Sequence, residues 1–134
     1  MIHWQLNTTK APYDNKDFRK ALSKAIDRDQ VSEIGMNGYS LPADCTGLSN
    51  SYSEWKDATI ADKCEWTTYD PDAAGKELDA LGFKVGSDGF RTNADGSPLQ
   101  MKLMVGSAYS DWLSVMNVVA QNLQDVKINA VVDA

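Results

Sequence analysis

The sequence predicts an α/β fold: a small mixed sheet with a right-handed βαβ unit and about four helices. An alternating apolar strand at 99–106 precedes an amphipathic helix, and a second apolar strand follows at 128–132. Strands in this order should be parallel, with a right-handed crossover. The 134 residues, 43% of them hydrophobic, suffice for one core. Ser110 can cap the crossover helix, whose apolar face comprises Trp112, Met116, Val119, Ala120 and Leu123.

The opening segment, residues 3–9, is predicted to be a strand that joins the same sheet. Its alternation is weak, so the prediction depends on Trp4 and on the extended backbone that Pro12 favours before it. The next stretch, 10–28, carries the strongest helix signals of the chain. Asp14 can cap a helix whose apolar residues recur every three or four positions. The buried face of this helix comprises Phe18, Ala21, Leu22, Ala25 and Ile26.

Two further helices are predicted from their caps. Asp27 can cap a short helix that follows the first directly, and Gly38 is a natural end for it. Asp70 before Pro71 is a typical helix start, because proline at the first helical position has no N–H to leave unpaired. The apolar faces comprise Val31, Ile34 and Met36 in the first of these helices and Ala74, Leu78 and Leu81 in the second.

Turn sequences at 86–89 and 93–97 predict a short hairpin between the third helix and the strand that begins at Leu99. The second turn, Asn-Ala-Asp-Gly-Ser, invites comparison with a calcium-binding loop. That pattern needs acidic residues where this chain has Arg91 and Lys102. The hairpin interpretation therefore stands, and no calcium site is expected.

Periodicity disappears between residues 39 and 69, and this segment is predicted to be a long loop. Such a loop is uncommon in a compact domain unless it is functional or pinned. Cys45 and Cys64 can pin it through a disulfide, which would add on the order of 3 kcal/mol. The alternative is two free thiols in a cytosolic protein; a zinc site would have only His3 to add. The loop is expected to fold onto the domain through two anchors, Trp55 and Trp66.

Composition and motifs exclude several classes of function. A net charge of -6 and a pI near 4.6 argue against nucleic-acid binding, which needs a basic surface. The sequence has one histidine, no GxSxG elbow, no phosphate-binding loop and no GxGxxG after a strand. The carboxylates that can be assigned to a predicted element are explained as helix caps. We therefore expect neither an enzyme nor a bound cofactor or metal.

The run LNTTKAPYDNKDFRKALSKAIDRDQV resembles the characteristic segment of the extracytoplasmic oligopeptide-binding proteins that serve ABC importers, the family 5 solute-binding proteins. The segments at 69–83 and 99–132 resemble the next helix and the strand–helix–strand of that family, with Lys127 where glycine is usual. Departures are Ala11, in place of a proline, and the two cysteines with their loop. The matching positions of the first run are Asn7, 10–14, 19–22 and 25–28.

The resemblance implies that residues 1–134 are a single domain, an internal fragment of the second lobe of a longer two-lobed protein. In the family an extended peptide lies between the lobes and is held largely through its main chain. By resemblance, Trp4 and Tyr39 are the candidate ligand-binding residues. The alternative roles are sheet packing for Trp4 and loop anchoring for Tyr39.

The resemblance also implies the partners: a peptide or other small solute in the full-length protein, and the membrane permease of an ABC importer. The location implied is extracytoplasmic, with a lipid anchor on the parent protein, and the fragment is expected to be monomeric. Relatives bind oligosaccharides, nickel complexes or other small solutes, so the ligand class stays open. A freestanding α/β enzyme or an interaction domain is the competing interpretation.

Overall fold

The structure is a computed structural model that describes residues 3–60 and 63–134. Among these residues no helix has the length and apolar character needed to cross a membrane. Short 3-10 segments lie in the long loop at Asn50–Trp55, which is kinked at Tyr52, and at Glu65–Thr67. The regular elements are α1 (Lys16–Lys24), α2 (Arg28–Gln30) with a π-helical turn (Val31–Gly35), α3 (Pro71–Ala80), β1 (Gln100–Met104), α4 (Ser110–Asp125) and β2 (Asn129–Asp133).

The predicted βαβ unit is present. Strands β1 and β2 pair in parallel, with Gln100 opposite Asn129 and Met104 opposite Asp133. Helix α4 connects them and packs against β2 and against the π-helical turn. Alternate side chains of β1 are buried, as the apolar alternation in the sequence predicted. The α/β fold class is confirmed.

One hydrophobic core joins both strands to helices α1, α3 and α4. The ring of Phe18 lies at its centre, 4.7 Å from the ring of Phe83 and 6.1 Å from that of Tyr13. All five residues predicted for the buried face of α1 belong to this core. The largest side chains with almost no exposure are Phe18, Leu22, Leu78, Met101, Leu103, Leu123 and Ile128.

The caps of α1 and α4 differ from those predicted. Helix α1 begins one residue later than expected, with Asn15 as its cap: the Asn15 Oδ1 atom accepts from the Asp17 N–H at 2.8 Å. Asp14 still belongs to the preceding turn. Ser110 is the first residue of α4, and Tyr109 before it makes no side-chain capping bond. Short polar residues next to a helix start compete for the cap position, so boundaries shift by a residue.

The other two predicted caps are confirmed. The Asp27 carboxylate accepts from the N–H of Gln30 at 3.0 Å, and the Asp70 carboxylate accepts from the N–H of Ala73 at 2.9 Å. Each satisfies a backbone donor that lacks a partner in the first helical turn.

The opening segment is not a strand, so that prediction is wrong. Asn7 turns the chain, because its side-chain oxygen accepts from the backbone N–H of Thr9 at 3.1 Å. Within the described residues, the segment has no strand beside it to supply ladder bonds. Trp4 and Leu6 instead pack part of their surface against the core. An aromatic residue in an extended segment is typical of a strand, but this segment is extended without being paired to a strand among the described residues.

The apolar face predicted for the second helix is confirmed only in part: Val31 and Met36 pack against the core, but the prediction is wrong for Ile34. Ser32 and Gly35 are buried, whereas Ile34 is exposed. The π-helical turn adds a residue per turn, which rotates the following side chains away from the face that a regular helix would present. A Cβ on Gly35 would lie 2.9 Å from the Cα of Val115, so glycine permits the close approach of this turn to α4.

Helices α3 and α4 end in the same hydrogen-bonding motif. The N–H of Ile128 donates to the carbonyl of Leu123 at 2.9 Å, which is the long bond of a Schellman cap. The motif requires a left-handed residue at its centre. Helix α3 places Gly82 there, with φ 93°, whereas α4 places Lys127 there, with φ 67°. Lys127 therefore holds a conformation that glycine adopts at lower cost.

Arg91 is the buried polar centre beneath these two helix ends. It is 5% exposed, although the sequence placed it in a surface hairpin. Its Nε donates to the carbonyl of Val126 at 2.7 Å, and its Nη1 donates to the carbonyl of Phe83 at 2.5 Å and to the carboxylate of Asp79 at 2.7 Å. The hairpin itself is present as isolated antiparallel bridges across 85–98.

Candidate ligand-binding groove

A groove of about 810 Å³ opens on one side of the core. Four parts of the chain form it: the opening segment, α1 with the π-helical turn, residues 39–43 and 48–51 of the long loop, and the middle of α4. The side chains that matter most for its chemistry are Trp4, Arg19, Arg28, Ser32, Tyr39 and Met116.

The structure brings together the two residues that the resemblance singled out. Trp4 and Tyr39 lie far apart in sequence but line the same groove. Trp4 is half-buried and packs against the core along part of its ring. Tyr39 is 90% exposed, so it is not an anchor for the loop. Their ligand-binding role remains a prediction; their positions permit it.

Tyr39 projects into solvent because of the backbone just before it. Asn37 and Gly38 both have positive φ, 50° and 74°, and reverse the chain after the π-helical turn. The N–H of Tyr39 donates to the carbonyl of Met36 at 2.9 Å, which closes this reversal. Asparagine and glycine are the residues that adopt left-handed backbone most readily. The sequence Asn-Gly thus positions the tyrosine at the groove's edge.

Two arginines line the groove, and no carboxylate does so among the described lining residues. The Nη1 group of Arg28 donates to the carbonyls of Ser23 and Thr67, each at 3.0 Å, and burial lowers the pKa of its guanidinium. Arg19 donates to the carbonyl of Tyr13 at 2.7 Å. Because backbone carbonyls accept these N–H groups, the arginines brace the groove, and its remaining surface is largely apolar and aromatic.

The long loop is crosslinked and only partly anchored. Cys45 and Cys64 are joined by a disulfide, with 5.5 Å between their Cα atoms. Trp66 is an anchor: the Lys20 ammonium lies 5.1 Å from its ring centre. Trp55 is 80% exposed, so its predicted anchoring role is wrong. Positions 61 and 62 of this predicted loop lie outside the described residues.

Sequence reasoning missed an aromatic pair at the start of α4. Tyr109 and Trp112 stack with 4.6 Å between ring centroids, and they are 53% and 40% exposed. The predicted place of Trp112 on the buried face of its helix is therefore wrong. The pair follows the carboxyl end of β1, where parallel sheets commonly present ligand-binding groups. That rule, applied to an aromatic residue just after a strand, could have identified it.

Two serines of the groove are hydrogen-bonded within the protein. The Ser23 hydroxyl accepts from Arg28 at 2.6 Å, and the Ser32 hydroxyl donates to the carbonyl of Ser40. Neither serine is served by a base, which nucleophilic catalysis would require. Across residues 3–60 and 63–134, no three histidine, cysteine or acidic side chains are grouped as a metal site.

A family of known proteins matches the whole chain. The sequence model for bacterial extracellular solute-binding proteins, family 5 Middle, matches residues 1–134. The chain belongs to this family. A probable ABC transporter-binding protein of Deinococcus radiodurans is 28% identical to this family 5 chain over 123 residues, 91% of the chain and 20% of that protein. A glutathione-binding protein of Salmonella typhimurium is 32% identical over 94 residues, 65% of the chain and 15% of that protein.

Solved structures share the fold of this family 5 chain. The periplasmic oligopeptide-binding protein of Thermotoga maritima superposes with a TM-score of 0.85 at 28% identity, covering 96% of this chain and 24% of that one. The same protein has been solved with mannohexaose bound, at the same similarity. The match to this chain therefore covers between 15% and 24% of the length of these relatives.

Proposed function

We propose that this family 5 chain forms one wall of the ligand cleft in a two-lobed solute receptor of an ABC importer, and that its ligand is an oligopeptide. The observation that carries the proposal is the groove lined by Trp4 and Tyr39 in a chain that belongs to a solute-binding family along its whole length. Residues 1–134 act as a single domain, part of the second lobe.

The shape of the groove supports a role in a closing cleft. A pocket for a small ligand normally buries most of the ligand's surface, whereas this groove is open to solvent along the side where Tyr39 lies. A second lobe that closes by a hinge would cover that side and bury the ligand. The exposed Tyr39 and Leu41 would then contact the ligand or the opposing lobe.

The ligand class is the finer part of the proposal. An apolar and aromatic lining without a free carboxylate suits a ligand recognised through its main chain, with side chains of varied type. Two relatives are named for peptide ligands, oligopeptide and glutathione. The second candidate is an oligosaccharide, favoured by the mannohexaose complex and by the exposed Tyr109–Trp112 stack, since sugar rings pack on aromatic faces.

The proposed setting is extracytoplasmic, with the parent protein held at the membrane by a lipid and delivering its ligand to a permease. The Cys45–Cys64 disulfide supports this setting, because disulfides persist in oxidising compartments. The net charge of -6 disfavours nucleic-acid binding and favours a monomeric chain.

Calorimetric titration of the polypeptide that carries this segment together with its other lobe tests the proposal. Penta-alanine should bind, and Trp4→Ala or Tyr39→Ala should raise the Kd about tenfold, which corresponds to about 1.4 kcal/mol. Trp55→Ala is the matched control, because this tryptophan is exposed away from the groove. Binding of mannohexaose but of no peptide would show that the ligand class is wrong while the receptor role stands.

A further inference from the structure

The outer wall of the groove, residues 39–51, is held by few contacts with the core. Every residue in it is exposed or half-buried. Its backbone hydrogen bonds, among the described residues, are local: the N–H of Gly47, for example, donates to the carbonyl of Asp44 at 3.0 Å. The hydroxyl of Ser32 joins the beginning of the wall to the π-helical turn through the carbonyl of Ser40. Hydrophobic burial, the usual source of local stability, therefore does not fix this wall.

The disulfide ties this wall to a part of the chain that is well fixed. Cys64 stands immediately before the 3-10 turn Glu65–Thr67, which packs against α1. The carbonyl of Thr67 accepts from the guanidinium of Arg28 at 3.0 Å. The bond from Cys45 to Cys64 thus connects the wall, through this turn, to a helix of the core.

A polar brace, formed by Lys56, Asp44 and Asn50, links the region of the disulfide to the lining of the groove. The Lys56 ammonium donates to the carboxylate of Asp44 at 2.8 Å and to the side-chain oxygen of Asn50 at 2.6 Å. Asp44 is the neighbour of Cys45 in sequence, and Asn50 lines the groove. The crosslink and the brace together connect the middle of the wall, at Asp44 and Cys45, to its later part at Asn50 and to α1.

We propose that the Cys45–Cys64 disulfide is a positioning element of the ligand groove, which holds the outer wall where a bound ligand meets it. This inference rests on the proposed function. Without the crosslink the wall samples other positions, and the apparent Kd rises as the reciprocal of the fraction of molecules with the wall in place. If that fraction falls to about a tenth, the Kd rises about tenfold.

Hydrogen exchange and calorimetry on the double variant Cys45→Ser/Cys64→Ser test this inference. Mass measurement after alkylation without reductant first establishes that the wild-type chain has no free thiol. We expect faster amide exchange in residues 39–51 of the variant and unchanged exchange in α1 and β1. In the polypeptide that includes the other lobe, the Kd for penta-alanine should rise about tenfold.

Two further variants separate positioning from general stability. Lys56→Met keeps the disulfide and removes the brace, so exchange should increase around Asn50 while the part of the wall around Cys45 keeps its protection. The Lys56→Met variant remains informative even if the double variant fails to fold. Gly82→Ala lies at the end of α3, outside the groove, and lowers stability through its positive φ. It should leave the exchange of residues 39–51 and the Kd unchanged.

Two results would overturn the inference: exchange in 39–51 that is the same with and without the disulfide, or a loss of affinity in Gly82→Ala equal to that of the double variant. Faster exchange with an unchanged Kd would also overturn it, because the wall would then be loose without consequence for binding. If the wild-type protein binds neither penta-alanine nor mannohexaose, the proposed function fails, and the exchange comparison alone decides whether the disulfide positions the wall.

Discussion

At the scale of single residues, the two Schellman caps show how one backbone requirement is met in two ways. Gly82 and Lys127 occupy equivalent left-handed positions at the ends of α3 and α4. The family resemblance places a glycine where Lys127 stands. For a residue with a side chain, this conformation costs about 1–2 kcal/mol, while glycine has an entropic cost of its own of about 0.5–1 kcal/mol. The chain therefore has the conformational cost of a left-handed residue with a side chain at Lys127 and avoids that cost at Gly82.

Lys127→Gly should raise the free energy of unfolding by about 0.5–1 kcal/mol, because it relieves the left-handed strain. Lys127→Ala removes the same charge without relieving the strain, so it should give no gain. Gly82→Ala should lower stability by about 1 kcal/mol for conformational reasons alone, since its Cβ would meet Ala94 at an ordinary 3.6 Å. Urea unfolding measures all three; an equal gain from Lys127→Ala would assign the effect to charge.

Arg91 is the residue whose loss should cost most outside the apolar core. Arg91→Ala would leave the carbonyls of Phe83 and Val126 without their donor, and we expect a loss of about 3 kcal/mol in the free energy of unfolding. Arg91→Lys should lose about half as much, because a single ammonium cannot reach acceptors on several sides. As a control, Lys102→Ala removes an exposed pair at 3.5 Å and should have almost no effect. Equal losses for lysine and alanine at 91 would contradict the geometric argument.

At the scale of elements, the long loop differs from the helices in what stabilises it. Helices α1, α3 and α4 are stabilised by buried apolar faces, whereas residues 39–60 contribute no buried side chain. The loop is held in place by a crosslink and a few charged contacts, whereas the helices are held in place by hydrophobic burial. The loop is thus free to present Tyr39 and Leu41 to solvent, which a packed element could not do without exposing its own core.

The ion pair inside the loop should show a distinctive pH dependence. The hydrogen bonds from Lys56 and Thr46 lower the pKa of Asp44 from 3.8 to about 2. A depressed carboxylate pKa favours the folded loop above pH 3.8, and this contribution is lost as the pH falls toward 2. An NMR titration of the Thr46 amide, whose N–H donates to the Asp44 carboxylate at 2.9 Å, reports the midpoint directly.

In Lys56→Met the same titration midpoint should move up from about 2 toward 3.8, because the largest cause of the depressed pKa is gone. The Asp57 carboxyl, whose pKa is lowered by hydrogen bonds from Thr59, serves as an internal control and should not move. A midpoint for Asp44 that stays near 2 in the variant would mean that Thr46 alone sets it.

At the scale of the whole molecule, the net charge and the exposed apolar surface have opposite effects on self-association. The net charge of -6 keeps copies of the chain apart, while the open groove exposes apolar and aromatic side chains. We expect a monomer of 14.7 kDa by light scattering at low ionic strength. Raising the salt screens the repulsion, so any weak self-association should appear only then. A stable dimer at low salt would instead indicate that the groove pairs with a second copy.

Features encoded by neighbours along the chain could be predicted well. Spacing over a few residues, or the order of motifs, was enough to predict helix α1, the caps Asp27 and Asp70, the parallel βαβ unit and the family resemblance. Periodicity and capping are local, so the sequence by itself determined the main helices, the βαβ unit and which face of α1 and β1 is buried.

Only the tertiary structure decided how distant segments meet. It brought Trp4 and Tyr39 to one groove, buried Arg91 under two helix ends, and left the Tyr109–Trp112 pair in solvent. It also showed that the opening segment has no neighbouring strand among the described residues. The physical reason is common to all four: burial and contact depend on what packs against a segment from elsewhere in the chain, and no local pattern records that partner.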